Sequence, residues 1–274
     1  MSVAGVDGCY DGWVAIVLEG TDATTVVEES FSAVWDECNT CDSVLVDVPV
    51  GLVSGSKSSE YIRACDTAAR KRIASPSSVF QVPIREAVDA WKHAEDARKR
   101  DAAREAQREV TGRGLTSQAL SLLDKIAEVD TFVGECSDVD DVSNRLAESH
   151  PELCFTALNG GRPLSRSKAT RHSDAGLADR YDVLDDEFEG DTATTLWEAL
   201  CQCRNVEAES DEHTPEVTFD DVLDAFVLAL TARQDTATLP PSPESDCEIE
   251  WPMAMAYAPP GVFDDGDKTK LDAV

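Results

Sequence analysis

A chain of 274 residues can bury a sizeable core, and its 54 Asp and Glu against 24 Lys and Arg give a formal net charge of -30. In ordinary salt so large an anionic excess argues against a protein that grips nucleic acid through a basic surface, because phosphate binding draws on cations. Only eight of the cations are Lys, and the balance reads as adaptation to high intracellular salt, where a Debye length of about 3 Å at 1 M screens self-repulsion and weakens that exclusion.

Residues 3–7 read as a short apolar strand, 8–12 as a turn, and 13–19 and 24–29 as strands that complete a three-stranded meander. Phe31, Val34, Trp35 and Cys38 have helical spacing, and 43–48 return as a buried apolar strand. A predominantly helical block follows. Ser58, Ser59 and Glu60 cap a predicted helix over 61–73, residues 83–110 form one long charged helix stopped by Gly112 and Gly114, and 117–132 form another. This block, about 54–144, is expected to be an insertion that caps a site.

Residues 145–152 are expected to supply the fifth strand, with Glu148, His150 and Glu152 on one of its faces. Helices are expected at 175–184 and 194–203, and an acidic loop at 206–218. Residues 219–233 have a strong helical period in Phe219, Val222 or Leu223, Phe226 and Leu230. A closing strand over 248–257 and a flexible acidic tail at 259–274 complete a single domain of residues 1–258. The fold class is therefore α/β, a mixed sheet carrying a large helical insertion.

Nine Cys are scattered along the chain without a basic leader, and no stretch reaches the roughly 20 apolar residues of a membrane span. The expectation is a cytoplasmic protein with reduced thiols and no membrane partner. Cys38-Asn39-Thr40-Cys41 and Cys201-Gln202-Cys203 each lack a second Cys pair or a pair of His, so they read as small buried thiols rather than zinc ligands.

Carboxylates stand where strands end. Asp7 follows the first apolar strand, with Gly8 allowing close backbone approach to a ligand. Asp47, inside Val44-Leu45-Val46-Asp47-Val48, would be a buried charge unless paired or bound to metal. Glu152 adds a carboxylate beside His150, a candidate proton carrier. On the last helix, Asp220 and Asp224 are four apart and Asp221 and Asp224 three apart, so either pair can share a face, and spacing does not choose between Asp221 and Asp224. Acids that converge in this way suit Mg²⁺ or Mn²⁺, and two-metal sites cleave phosphodiesters.

The element order resembles the ribonuclease H-like fold. Gly5-Val6-Asp7-Gly8-Cys9, Val46-Asp47-Val48-Pro49-Val50-Gly51-Leu52, Cys65-Asp66-Thr67-Ala68-Ala69-Arg70 and Ser77-Ser78-Val79-Phe80 resemble motifs of the family called domain of unknown function 429. So do Pro83-Ile84-Arg85-Glu86-Ala87, Lys125-Ile126-Ala127-Glu128, Glu148-Ser149-His150-Pro151-Glu152 and Asp220-Asp221-Val222-Leu223-Asp224. The resemblance implies a ribonuclease H-like nuclease with catalytic and metal-binding Asp7, Asp47, Glu152 and Asp221 or Asp224, assisted by His150. It also implies phosphate contacts from Arg70, Arg85, Lys125 and Lys168, and a nucleic-acid substrate. The alternatives are an inactive nucleic-acid or protein-binding module and a small-molecule phosphotransferase. The last is disfavoured because Asp7-Gly8-Cys9-Tyr10-Asp11-Gly12 lacks the hydroxyl of a phosphate-binding hairpin.

Overall fold

The computed structural model describes residues 1–55, 61–136, 139–166, 174–209, 215–246 and 248–259. Three strands, β1 (Ser2–Cys9), β2 (Gly12–Glu19) and β3 (Asp22–Glu28), form an antiparallel meander. A short helix, α1 (Phe31–Glu37), capped by the Ser30 hydroxyl, then leads to β4 (Ser43–Val46), which pairs parallel to β1. β5 (Leu146–Glu148) adds in parallel beyond β4. The order is β3-β2-β1-β4-β5, the mixed α/β sheet expected of a ribonuclease H-like fold.

Strand alternation divides the core between the two faces of the sheet. Ala4, Val6, Trp13, Ala15, Val44 and Val46 pack with α1 and the insertion, while Val3, Val14, Ile16, Leu18 and Leu45 pack with the C-terminal helices. On the second face lie α8 (Pro151–Leu158), α9 (Asp174–Glu187), α10 (Thr192–Glu209) and α11 (Phe219–Ala232). Of these α11 runs directly across β1, β2 and β4. Gly5 permits it: a Cβ there would come within 2.1 Å of the Ala225 carbonyl oxygen and 2.3 Å of the Ala229 nitrogen. α11 starts with a capping box, in which the Thr218 hydroxyl accepts from the Asp221 N–H and the Asp221 carboxylate accepts from the Thr218 N–H.

The insertion between β4 and β5 holds α2 (Ala64–Arg70), α3 (Arg85–His93), α4 (Lys99–Thr111), α5 (Ser117–Ser121), α6 (Leu123–Glu135) and α7 (Val139–Arg145). The helix expected over 61–73 is the shorter α2, and its expected caps at 58–60 lie outside the described residues. The long helix expected over 83–110 is two. Ile84, Val88 and Trp91 form a buried stripe, but its continuation would drive Glu95 and Arg98 inward, so the chain breaks at Ala94 (ψ 153°) and resumes with Ala103 buried. Residues 117–132 likewise divide at Leu122.

Two strand expectations are also corrected. The segment over 145–152 is a strand only to Glu148, because Pro151 occupies the first position of α8 with His150 as its N-cap. Consequently positions 148, 150 and 152 do not share a strand face. The closing strand is only β7 (Met255–Tyr257), paired with β6 (Ala237–Leu239) in a separate two-stranded sheet. Residues expected as an acidic loop from 206 continue α10 to Glu209, and the tail beyond 259 lies outside the described residues. Among the described residues no helix is long and apolar enough to cross a membrane.

Candidate metal centre

Asp7 and Asp47 are brought side by side by the parallel register of β1 and β4. Val6 pairs with Val46, and the Asp47 N–H donates to the Val6 carbonyl at 3.0 Å, so the next residue of each strand carries a carboxylate at the same edge. Asp7 lies in the alternation of Val3 and Gly5, the positions facing α11. From that helix comes Asp224, adjacent to the Ala225 that rests on Gly5. Oxygens of Asp7, Asp47 and Asp224 all lie within 4.8 Å of one another.

The donor set fits a hard divalent cation. Oxygens around Mg²⁺ at about 2.0–2.1 Å from the ion stand about 3–4 Å apart, a spacing that three carboxylates this close can reach. Asp7 and Asp224 are buried and Asp47 half-buried, so their mutual repulsion is little screened by water. Asp221, in contrast, is committed to capping its helix. The choice that spacing left open thus falls on Asp224 by position.

Glu152 is turned elsewhere: in the first turn of α8, it receives the guanidinium of the buried Arg180. His150 lines the cavity in front of Asp7 and Asp47, and its Nδ1 accepts the Glu152 N–H at 3.2 Å. Its ring proton is therefore on Nε2 in the neutral form.

A second acidic group, Cys65, Asp66 and Glu148, is as compact, but Arg63 occupies its centre. The Arg63 guanidinium meets Asp66 at 2.6 Å and Glu148 at 2.6 Å, with all three side chains 2% exposed. Glu148 also accepts the Val50 N–H at 2.9 Å. Burial opposes the charge on Arg63, yet the two carboxylates outweigh it and hold the guanidinium protonated well above its usual range. That group is a structural ion cluster, whose loss of one partner would cost about 3–5 kcal/mol. Neither Arg63 nor Arg180 was foreseen. The only sequence signal for Arg63 is its place three residues before Asp66, and nothing local marks Arg180 as a partner of Glu152.

The cations expected at phosphates are engaged within the fold. Arg70 donates to the carbonyls of Val79 and Phe80, each at 3.0 Å. Arg85 is buried against Asp130 and Asp246, at 2.7 and 2.6 Å. Lys125 lies beside Gly8, donates to the Gly12 carbonyl and stands 4.6 Å from the Trp13 ring centre. Burial lowers its pKa, while Glu128 and the Cys9 thiol oppose that shift. Burial pushes the Cys9 thiol up to about 12, with Lys125 pulling against it and Asp221 and Asp7 adding to it. It is no nucleophile near neutrality. Lys168 lies outside the described residues.

The cavity above Asp7 and Asp47 measures about 120 Å³. Its floor is the carboxyl-end edge of the sheet, where ligands of open α/β sheets gather. Its walls come from the insertion, with Ser78, Val79, Phe80 and Val82 on one segment and Gln118 and Leu122 on another.

A sequence model of the family described as protein of unknown function (DUF429) matches residues 5–245. The chain belongs to that family. No curated protein and no solved structure matches it. The DUF429 match spans Asp7, Asp47, His150 and Asp224 together with the whole insertion, so the cluster and all of the cavity lining except Met255 lie within the family region.

Proposed function

We propose that the protein is a phosphodiester hydrolase of the nuclease type, in which Asp7, Asp47 and Asp224 hold Mg²⁺ or Mn²⁺. The observation that carries this reading is the convergence of three acids, separated by 40 and 177 positions in the chain, to within 4.8 Å at the mouth of a cavity. A divalent cation bound there would supply Lewis-acid stabilisation of phosphoryl charge and an acidified water. The protein supplies the rest. Three carboxylates fix the position of positive charge, and their rigid supports, the paired strands β1 and β4 and one turn of α11, keep that position from drifting. His150 holds a proton at Nε2, which suits it to give that proton to a departing oxygen. Val79, Phe80, Val82 and Leu122 limit water around the phosphate.

Calorimetric titration with Mn²⁺ tests the reading together with cleavage of nucleic acid in molar KCl. Asp7→Asn or Asp224→Asn is expected to weaken Mn²⁺ binding by more than about a hundredfold, beyond the loss typical of groups that only support ligands. Cleavage should disappear with it. Asp221→Ala should retain Mn²⁺ binding while losing about 1 kcal/mol of stability through its helix cap. Mn²⁺ affinity unchanged in the Asp7 and Asp224 variants would show a binding module with structural acids.

A further inference from the structure

The cavity is small, anionic and walled. Among the described residues its lining carries Asp7, Asp47, Asp66 and Glu148 against one cation, Arg63, which is itself enclosed by Asp66 and Glu148. Arg70, Arg85 and Arg180 are also turned inward, onto the Val79 and Phe80 carbonyls, onto Asp130 and Asp246, and onto Glu152. A duplex is held by a row of cations along its phosphates, and these side chains do not form one. Volume points the same way. About 120 Å³ falls below the roughly 300–1,000 Å³ of clefts that enclose a drug-sized ligand, so the space accepts one phosphate and a modest substituent.

Above the carboxylates the character changes. Pro49, Val79, Phe80, Val82, Leu122 and Met255 give the wall an apolar patch beside the polar Ser78 and Gln118, and Arg70 braces it by holding the carbonyls of Val79 and Phe80. A flat apolar group placed against Phe80 would leave water while its phosphate stayed at the acidic edge.

Resting on the hydrolase reading above, we propose that the site takes a small phosphodiester, one phosphate bearing a flat apolar substituent against Phe80, in preference to a nucleic-acid duplex. In the reaction a water oxygen bonds to phosphorus as the ester P–O bond breaks. One water proton ends on the departing oxygen, and the products are a phosphomonoester and an alcohol or phenol.

The test compares bis(p-nitrophenyl) phosphate with a two-turn DNA duplex and an RNA–DNA hybrid, using the full chain with Mn²⁺ at low and molar KCl. The expected kcat/KM for the aryl diester exceeds that for either duplex by at least about tenfold. Binding of the same three probes is read by calorimetry with Ca²⁺ in place of Mn²⁺, and affinity for the diester should vary little with salt. Phe80→Ala should lower kcat/KM for the aryl diester about tenfold, the loss of one stacking surface, at an unchanged Mn²⁺ affinity. Faster cleavage of a duplex, or an aryl diester rate untouched in Phe80→Ala, would overturn the small-substrate inference alone. No cleavage of any probe by Mn²⁺-loaded protein would overturn the hydrolase reading, and this inference with it.

Discussion

Cys41 illustrates how one residue's surroundings set its chemistry. Its thiol is lowered to about 6, first because the Cys38 side chain donates a hydrogen bond to it; burial opposes the shift, and the Ser2 hydroxyl and Arg145 add to it. Cys38 is pushed up correspondingly by the bond it gives and by burial. The pair therefore favours the thiolate on Cys41 and the thiol on Cys38. An ordinary thiol titrates near 9.0, so between about 6 and 9 the unfolded chain binds the additional proton. Stability should rise with pH across that window and be lost as pH falls through about 6. Urea midpoints measured from pH 6 to 9 should show that rise, and Cys41→Ser should flatten it. The same scale separates acids that look alike in the sequence. Asp7 and Asp47 were legible as ligand candidates because each ends an apolar run. Glu152 looked equivalent, yet its oxygen goes to Arg180, 28 positions further along. Asp221 and Asp224 differ by one helical turn in use, one capping α11 and the other reaching the sheet.

Among the elements, α11 on β1 decides the site. Gly5→Ala would place a Cβ 2.1 Å from the Ala225 carbonyl oxygen, and backbone cannot give way as a flexible side chain can. The helix must lift, so overpacking should cost at least about 1–3 kcal/mol. Because Asp224 adjoins Ala225, Mn²⁺ affinity should fall together with stability. Chemical denaturation and metal titration of the one variant check both, and a loss of stability at full Mn²⁺ affinity would separate α11 from the site. Local periodicity found β1 to β4 and α11 well, since long amphipathic or apolar runs carry their own signal. It overran at α3 and α4, where a run of good helix formers hides the point at which the apolar stripe ends. It also overran at β5, where the turn into α8 depends on Pro151 and the His150 cap.

Among the described residues, three Arg are buried together with six carboxylates, and the remaining anionic excess lies at the surface. Arg63, Arg85 and Arg180 are each nearly buried against carboxylates, which withdraws them from a surface already short of positive charge at a net -30. Raising KCl from about 0.1 M to about 1 M shortens the Debye length from about 10 Å to about 3 Å. The urea midpoint should rise steeply over that interval as surface repulsion is screened. A flat response would mean that the surface anions are compensated by near neighbours. Buried pairs, less exposed to salt, should contribute little to the change.

By itself the sequence determined the family, the order β1 to β4 with α1, the late helix α11, and the two acids Asp7 and Asp47, because these are written in short-range pattern. Tertiary structure alone decided that Asp224 rather than Asp221 meets them, that Arg63 and Arg180 absorb Glu148 and Glu152, and that the insertion walls the cavity. The reason is range. A repeat of two or 3.6 residues shows which face a side chain takes, whereas its partner is set by the distance between segments far apart in the chain, which only packing fixes.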